Sequence, residues 1–176
     1  MKKLIILILT ILTIFVLSVG IVVALKSINL KQNCTGYLKR AADANTIESA
    51  KEQLQKSIKY LELNNLTKGY TSVMWRTPDE DIEFWYNNLK NSEKELMKVD
   101  STTSTLEKTN ILMKLRETLL DKTRKGEEVT VPNGLSRYPD NTLYGILRSL
   151  SFIIFIGILV FLDLSRLKRK LNMIGS

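Results

Sequence analysis

Two long apolar runs enclose a polar middle in this 176-residue chain. Leu4 to Leu25 contains no charged residue and is mostly Leu, Ile and Val. At about 1.5 Å per residue, a helix of that length crosses a hydrocarbon layer of about 30 Å. A cleaved signal peptide is the rival reading, suggested by Lys2, Lys3 and the small Ala24. The apolar core of a signal peptide is about 7–15 residues long, however, and this run exceeds it, so an uncleaved signal anchor is expected. The second run, Leu143 to Leu164, has a clean centre from Leu150 to Leu162 and one early cation, Arg148. A cation is costly at mid-membrane but tolerated near the surface, where a long side chain reaches water. Tyr144 and Arg148 are therefore expected to anchor one membrane interface, and Arg166, Lys168, Arg169 and Lys170 the other.

Between the runs the apolar positions recur every three or four residues. Leu30, Cys34, Tyr37, Leu38 and Ala41 predict that the first helix continues past its apolar run to a break near Asn45. Asn45 and Glu48 have capping-box spacing, so a helix is predicted to start there, with Ile47, Ala50, Leu54, Ile58 and Leu61 as its buried stripe. It should end near Asn64 and Asn65, with Gly69 soon after. Tyr70 to Arg76, β-branched and aromatic, reads as extended. Thr77-Pro78-Asp79-Glu80 then supplies an N-cap, a first-turn proline and an acidic cap partner. Ile82, Trp85, Leu89, Ser92, Leu96 and Val99 follow as a coiled-coil-like seam. After a polar break, Asp100 to Thr105, a third helix would bury Ile111, Leu112, Leu115, Leu119 and Leu120 and stop at Gly126. Glu127 to Thr142 contains Pro132-Asn133-Gly134 and Pro139-Asp140-Asn141, turn chemistry around the short run Val129 to Val131.

None of these helices can bury its stripe alone, so packing against one another is required. The expected fold is an all-α membrane protein: two transmembrane helices flank a small antiparallel bundle of about three helices, with a short extended connector before the second span. Its segments are residues 1–3, the anchor 4–25, the helical domain 26–142, the second span 143–164 and the basic tail 165–176.

Charge then refines the picture. A net charge of +8 invites a nucleic-acid reading. From Lys26 to Thr142, though, 19 Lys and Arg face 17 Asp and Glu, and the excess lies beside the spans. The bilayer, not nucleic acid, is the expected partner of those cations. Short basic flanks stay in the cytoplasm whereas long loops cross largely regardless of charge. Both termini are thus expected to be cytoplasmic, in an inner or cell membrane, with the middle domain outside. The tail is expected to act mainly as a stop-transfer flank, with anionic lipid as a further contact.

Catalytic chemistry is poorly supplied. The chain has no histidine and one cysteine, which excludes the usual general base, Cys- or His-based zinc sites and any disulfide within one chain. It also lacks a glycine-rich phosphate loop and a Gly-x-Ser-x-Gly elbow. Asp79, Glu80, Asp81 and Glu83 form an acidic cluster that fits a helix N-terminus better than a cation site. No cofactor, metal or catalytic residue is expected. Tyr70, Trp75, Phe84, Trp85 and Tyr86 concentrate aromatic surface. Trp85 falls on the seam with Phe84 and Tyr86 beside it, and these three are the candidate partner-binding residues. Cys34 is a candidate for an intermolecular disulfide, weighed against an inert buried thiol. Gly145 and Ser149 share one face of the second span, as close-packing helices permit.

The function these features favour is a non-enzymatic, membrane-anchored interaction, scaffold or accessory subunit with a protein partner or a second copy. An extracytoplasmic ligand sensor working through a partner is an alternative, as is a phage-type membrane-perturbing or pore protein. The uncharged spans offer little to line a water path, which counts against the pore.

Overall fold

A computed structural model describes residues 2–124 and 126–174; the side chains of residues 2–6, 9, 161, 163 and 165–174 lie outside that description. The expected anchors Arg166, Lys168, Arg169 and Lys170 therefore lie outside the described side chains. The chain is mostly helical. Its α-helices are α1 (Lys2–Leu30), α2 (Gly36–Ala42), α3 (Ile47–Leu63), α4 (Ile82–Met97), α5 (Thr105–Leu119) and α6 (Asn141–Ile174). Two short strands, β1 (Leu120–Thr123) and β2 (Gly126–Val129), form an antiparallel hairpin. The chain divides into two units, one made of residues 1–21 and 142–176, the other of residues 22–141.

In the terminal unit, α1 and α6 supply two helices long and apolar enough to cross a membrane. Their apolar side chains are exposed, as at Ile14, Leu17, Phe152 and Ile153. Leu12, Val16, Phe152, Phe155, Ile158 and Arg148 are among the residues lining an apolar groove of about 720 Å³ between these helices. Tyr144 is half-buried and Arg148 exposed.

The central unit begins inside a helix. After α1 the backbone widens into a π-helical stretch, Lys31–Thr35, and passes directly into α2. The predicted continuation of the first helix to the low 40s is thus present. Leu30, Cys34, Leu38, Ala41 and Ala42 form its buried face. Gly36 donates its N–H to Lys31 O, the i to i−5 bond of a π-bulge. A Cβ at Gly36 would stand 2.8 Å from that same carbonyl oxygen.

The stripe read on α3 is buried as spaced: Ile47, Ala50, Leu54, Ile58 and Leu61 are all in the core. The cap differs by one residue. Thr46, not Asn45, is the N-cap, with its hydroxyl accepting from Ser49 N–H, so Glu48 sits too early to close a capping box. At the other end Asn65 adopts φ 55°, and Leu66 donates its N–H to Leu61 O at 2.8 Å while burying its side chain. This is the left-handed stop that lets a helix reverse, with asparagine in the position glycine usually takes.

The start of α4 also departs from expectation. Pro78–Glu80 make a single 3₁₀ turn, and Thr77 offers no capping bond to the backbone; its hydroxyl donates to Glu80 instead. The working cap is Asp81, whose carboxylate accepts from the N–H groups of Glu83 and Phe84 at 2.9 and 3.1 Å. From there Ile82, Trp85, Leu89 and Leu96 face the core as predicted, but Ser92 is half-buried with Glu93 buried beside it, and Val99 lies past the end of the helix. Helix α5 ends at Leu119, capped at its start by Ser104. Leu120 is buried from a strand and not from a helix, and Gly126, at φ 121°, belongs to the hairpin instead of terminating α5.

One core cluster joins these parts. Helix α3 packs against α2 and α4, and α2 against α5. Leu115, Leu119 and Leu135 complete the cluster, and Val129 and Val131 close over it. Arg116 of α5 pairs with Asp43 after α2 at 2.6 Å and also with Glu127 of β2. Lys26 and Asp140, near the two ends of the unit, form an ion pair at 3.2 Å.

Substituting Gly36 tests the π-bulge. Replacing a helix-interior glycine by alanine normally stabilises by about 1 kcal/mol. Gly36→Ala is expected to lower the thermal unfolding midpoint of the detergent-solubilised chain, because the new methyl group meets Lys31 O. A raised midpoint would show that the bulge relaxes without cost.

Candidate functional site

The three aromatic residues singled out on α4 separate into three environments. Asp81 sets the first turn, and the 3.6-residue period then turns Trp85 inward, Phe84 outward and Tyr86 toward α3. Trp85 is 8% exposed, and its indole N–H donates to Thr130 O at 2.8 Å. It fastens the connector to α4 and has little surface to offer a partner. Phe84 is 65% exposed. Tyr86 is half-buried, and its hydroxyl donates to Glu62 of α3 at 2.6 Å.

Glu62 also lies 3.8 Å from Lys90, which pairs at 2.6 Å with the buried carboxylate of Glu93. This polar line seams α3 to α4. Burial, followed by the bond to Glu62, pushes the Tyr86 hydroxyl up to about 12. The bond to Glu93 holds Lys90 above the usual lysine range.

Phe84 stands at a groove of about 320 Å³ between the start of α4, the hairpin and the connector. Asp79, Asp81, Asp121 and Glu128 line it with Asn88, Thr118 and Pro132, and no Lys or Arg is among its described lining residues. Sequence reasoning found the α4 side of this groove and missed Asp121, Thr123 and Glu128. The available signal was Gly126 with β-branched residues near it, at Thr123 and at Val129 to Val131, which suits a hairpin. Of the acidic cluster, Asp81 caps α4 and Glu80 accepts from Thr77. Among the described residues no group of three His, Cys, Asp or Glu side chains could hold a metal ion.

Cys34 is fully buried. Ser57 Oγ donates to the Cys34 carbonyl at 3.0 Å and lies 3.1 Å from Sγ. Burial pushes the thiol up to about 11, against the lowering effect of Ser57. The candidate cross-link to a second chain therefore has no exposed thiol to use and would require the Lys31–Thr35 stretch and α3 to part, whereas the inert buried thiol weighed against it matches this burial.

Comparison with protein-family models, with curated proteins and with solved structures finds no match to this chain.

The Tyr86–Glu62 contact has a pH signature. The neutral phenol is favoured in the folded chain, so its contribution is complete below pH 10 and is lost as pH rises from 10 toward about 12. Tyr86→Phe should lower the unfolding midpoint at pH 8 and flatten its alkaline decline relative to the parent chain. Parallel declines across that window would refute a stabilising bond.

Proposed function

We propose that the chain is a two-pass integral membrane protein with both termini cytoplasmic, and that residues 26–142 form an extracytoplasmic, antiparallel helical module that recruits a protein and performs no catalysis. Support for membrane insertion comes from the exposed apolar surface of α1 and α6. Each such side chain left in water forgoes roughly 1.5–3 kcal/mol of burial, so lipid is the solvent that suits these helices. The Lys26–Asp140 pair suits a module whose two ends meet one membrane surface. An exposed pair of this kind contributes at most about 1 kcal/mol, so its value is in register and not in stability. The basic tail favours the cytoplasmic assignment of the termini.

The observation that carries the interaction reading is Phe84. A large aromatic side chain left 65% exposed beside a groove lined by carboxylates is a natural anchor for a segment carrying one apolar residue and nearby Lys or Arg. The module acts as an accessory or scaffold subunit by holding such a segment. Charge is divided to match: cations flank the spans, carboxylates line the groove.

A photo-crosslinking amino acid at position 84, in the full chain in cells, tests this. A discrete protein adduct is expected at 84 and not at exposed Met113, and Asp121→Lys should abolish it. For the isolated partner segment, Phe84→Ala should weaken binding by about 2 kcal/mol, roughly thirtyfold in Kd. No adduct at 84, or one indifferent to Asp121→Lys, would contradict the proposed surface.

A further inference from the structure

The segment between α3 and α4 is a loop closed at its own neck. Thr71 N–H donates to Glu80 O at 3.1 Å and Ile82 N–H to Gly69 O at 2.9 Å, pairing Tyr70 with Asp81 as an isolated bridge. Inside this neck three consecutive apolar side chains point away from the core: Val73, Met74 and Trp75 are 48, 76 and 75% exposed. Arg76 follows, its guanidinium 5.0 Å over the Tyr70 ring. A short loop with paired ends ordinarily shows water a polar tip; this one shows valine, methionine and tryptophan.

The neck is fastened to the start of the second apolar helix. The amide of Asn141, the first residue of α6 and itself buried, donates to Thr71 O at 2.8 Å and to Gly134 O at 3.0 Å. Gly69, at φ 105°, lies so close to Tyr138 that a Cβ would stand 2.2 Å from the phenol oxygen. Only glycine fits there, and the fit presses the neck onto the connector two residues before Asp140 and its Lys26 partner. Trp75 is four residues from Thr71, hence within about 14 Å of it even if fully extended. The interfacial layer of a bilayer is about 6 Å deep on each side, and tryptophan favours that layer above other depths.

Resting on the two-span reading, we propose that the Val73–Trp75 tip dips into the interfacial layer of the same bilayer that holds α6, with Trp75 as its anchor and Arg76 at headgroup level. The occupant of this apolar tip is lipid, because the tip hangs from the residue at which the chain begins its second apolar helix. The module then has a third attachment besides its two spans, one that resists tilting over the membrane.

The test uses the full chain reconstituted in phosphatidylcholine vesicles, with and without bromine on the acyl chains, and compares it with Trp75→Phe. The chain has two tryptophans, and Trp85, buried in the module, serves as the internal reference. Most of the emission that Trp75→Phe removes should vanish in brominated vesicles and be protected from aqueous acrylamide, while Trp85 emission persists in both. Quenching of that emission by acrylamide and not by bromine would put the tip in water and overturn the proposal. Protection from both quenchers would mean that protein covers the tip, which also overturns it. Alkaline carbonate extraction, run on the same vesicles, separates the two levels: a chain that stays in the membrane with an unquenched Trp75 defeats the loop insertion alone, whereas an extracted chain defeats the two-span reading beneath it.

Discussion

The central unit depends on one buried helix face, Leu30, Cys34, Leu38 and Ala41, which lies on the same unbroken helical path as the first apolar run. No linker separates the run from the core. Small residues make the packing close: Ala41, Ala42, Ala50 and Ser57 leave room for backbones to approach, and Ser57 reaches the Cys34 carbonyl directly. The π-bulge adjusts the phase, since an extra residue in one turn rotates everything beyond it. Gly36 is the residue at that place because its missing Cβ is what allows Lys31 O to come so near. If this face were lost, α3 and α5 would lose the surface they share, and the Arg116 link from Asp43 to Glu127 would lose one end.

Most of the core was legible because burial in a helix imposes a period that survives in the sequence. The stripe on α3 is buried where the spacing of three and four put it. So are Ile82, Trp85, Leu89 and Leu96 of the α4 seam and Leu30, Cys34, Leu38 and Ala41 of the first helix, whereas Ser92 and Val99 are only half-buried. Caps were less legible because several residues compete for them within two or three positions. Thr46 takes the cap in place of Asn45, and Asp81 in place of Thr77, which precedes a separate 3₁₀ turn at Pro78–Glu80; Asp81 is also bridged to Tyr70, a contact no local motif carries. The hairpin was missed because Leu119 and Leu120 are both buried, and two adjacent apolar residues at a helix end do not reveal that the second has left the helix. Spacing also could not rank Phe84 against Tyr86. The choice is made by Glu62, on a different helix, which engages the Tyr86 hydroxyl and leaves Phe84 without such a tie.

The surface chemistry is divided by location. The net positive excess lies beside the apolar runs, whereas the groove at Phe84 is lined by carboxylates. The polar seam with Glu62, Lys90 and Glu93 engages Tyr86, which the sequence alone would have offered to a partner. Cys34 is consumed in the same way. Among the exposed apolar side chains of the central unit are Phe84, beside its groove, and the consecutive run Val73, Met74 and Trp75. In the proposed reading the first meets a protein segment and the second meets lipid.

Whether the module lies outside the membrane is the central claim of the proposed topology. Cys34 is too buried to report on it, so the thiol should be moved: Lys94→Cys in a Cys34→Ala chain places a single cysteine on the exposed side of α4. With intact cells and a membrane-impermeant maleimide, the account predicts labelling equal to that of opened membranes. Labelling only after the membranes are opened would place the module in the cytoplasm and contradict it.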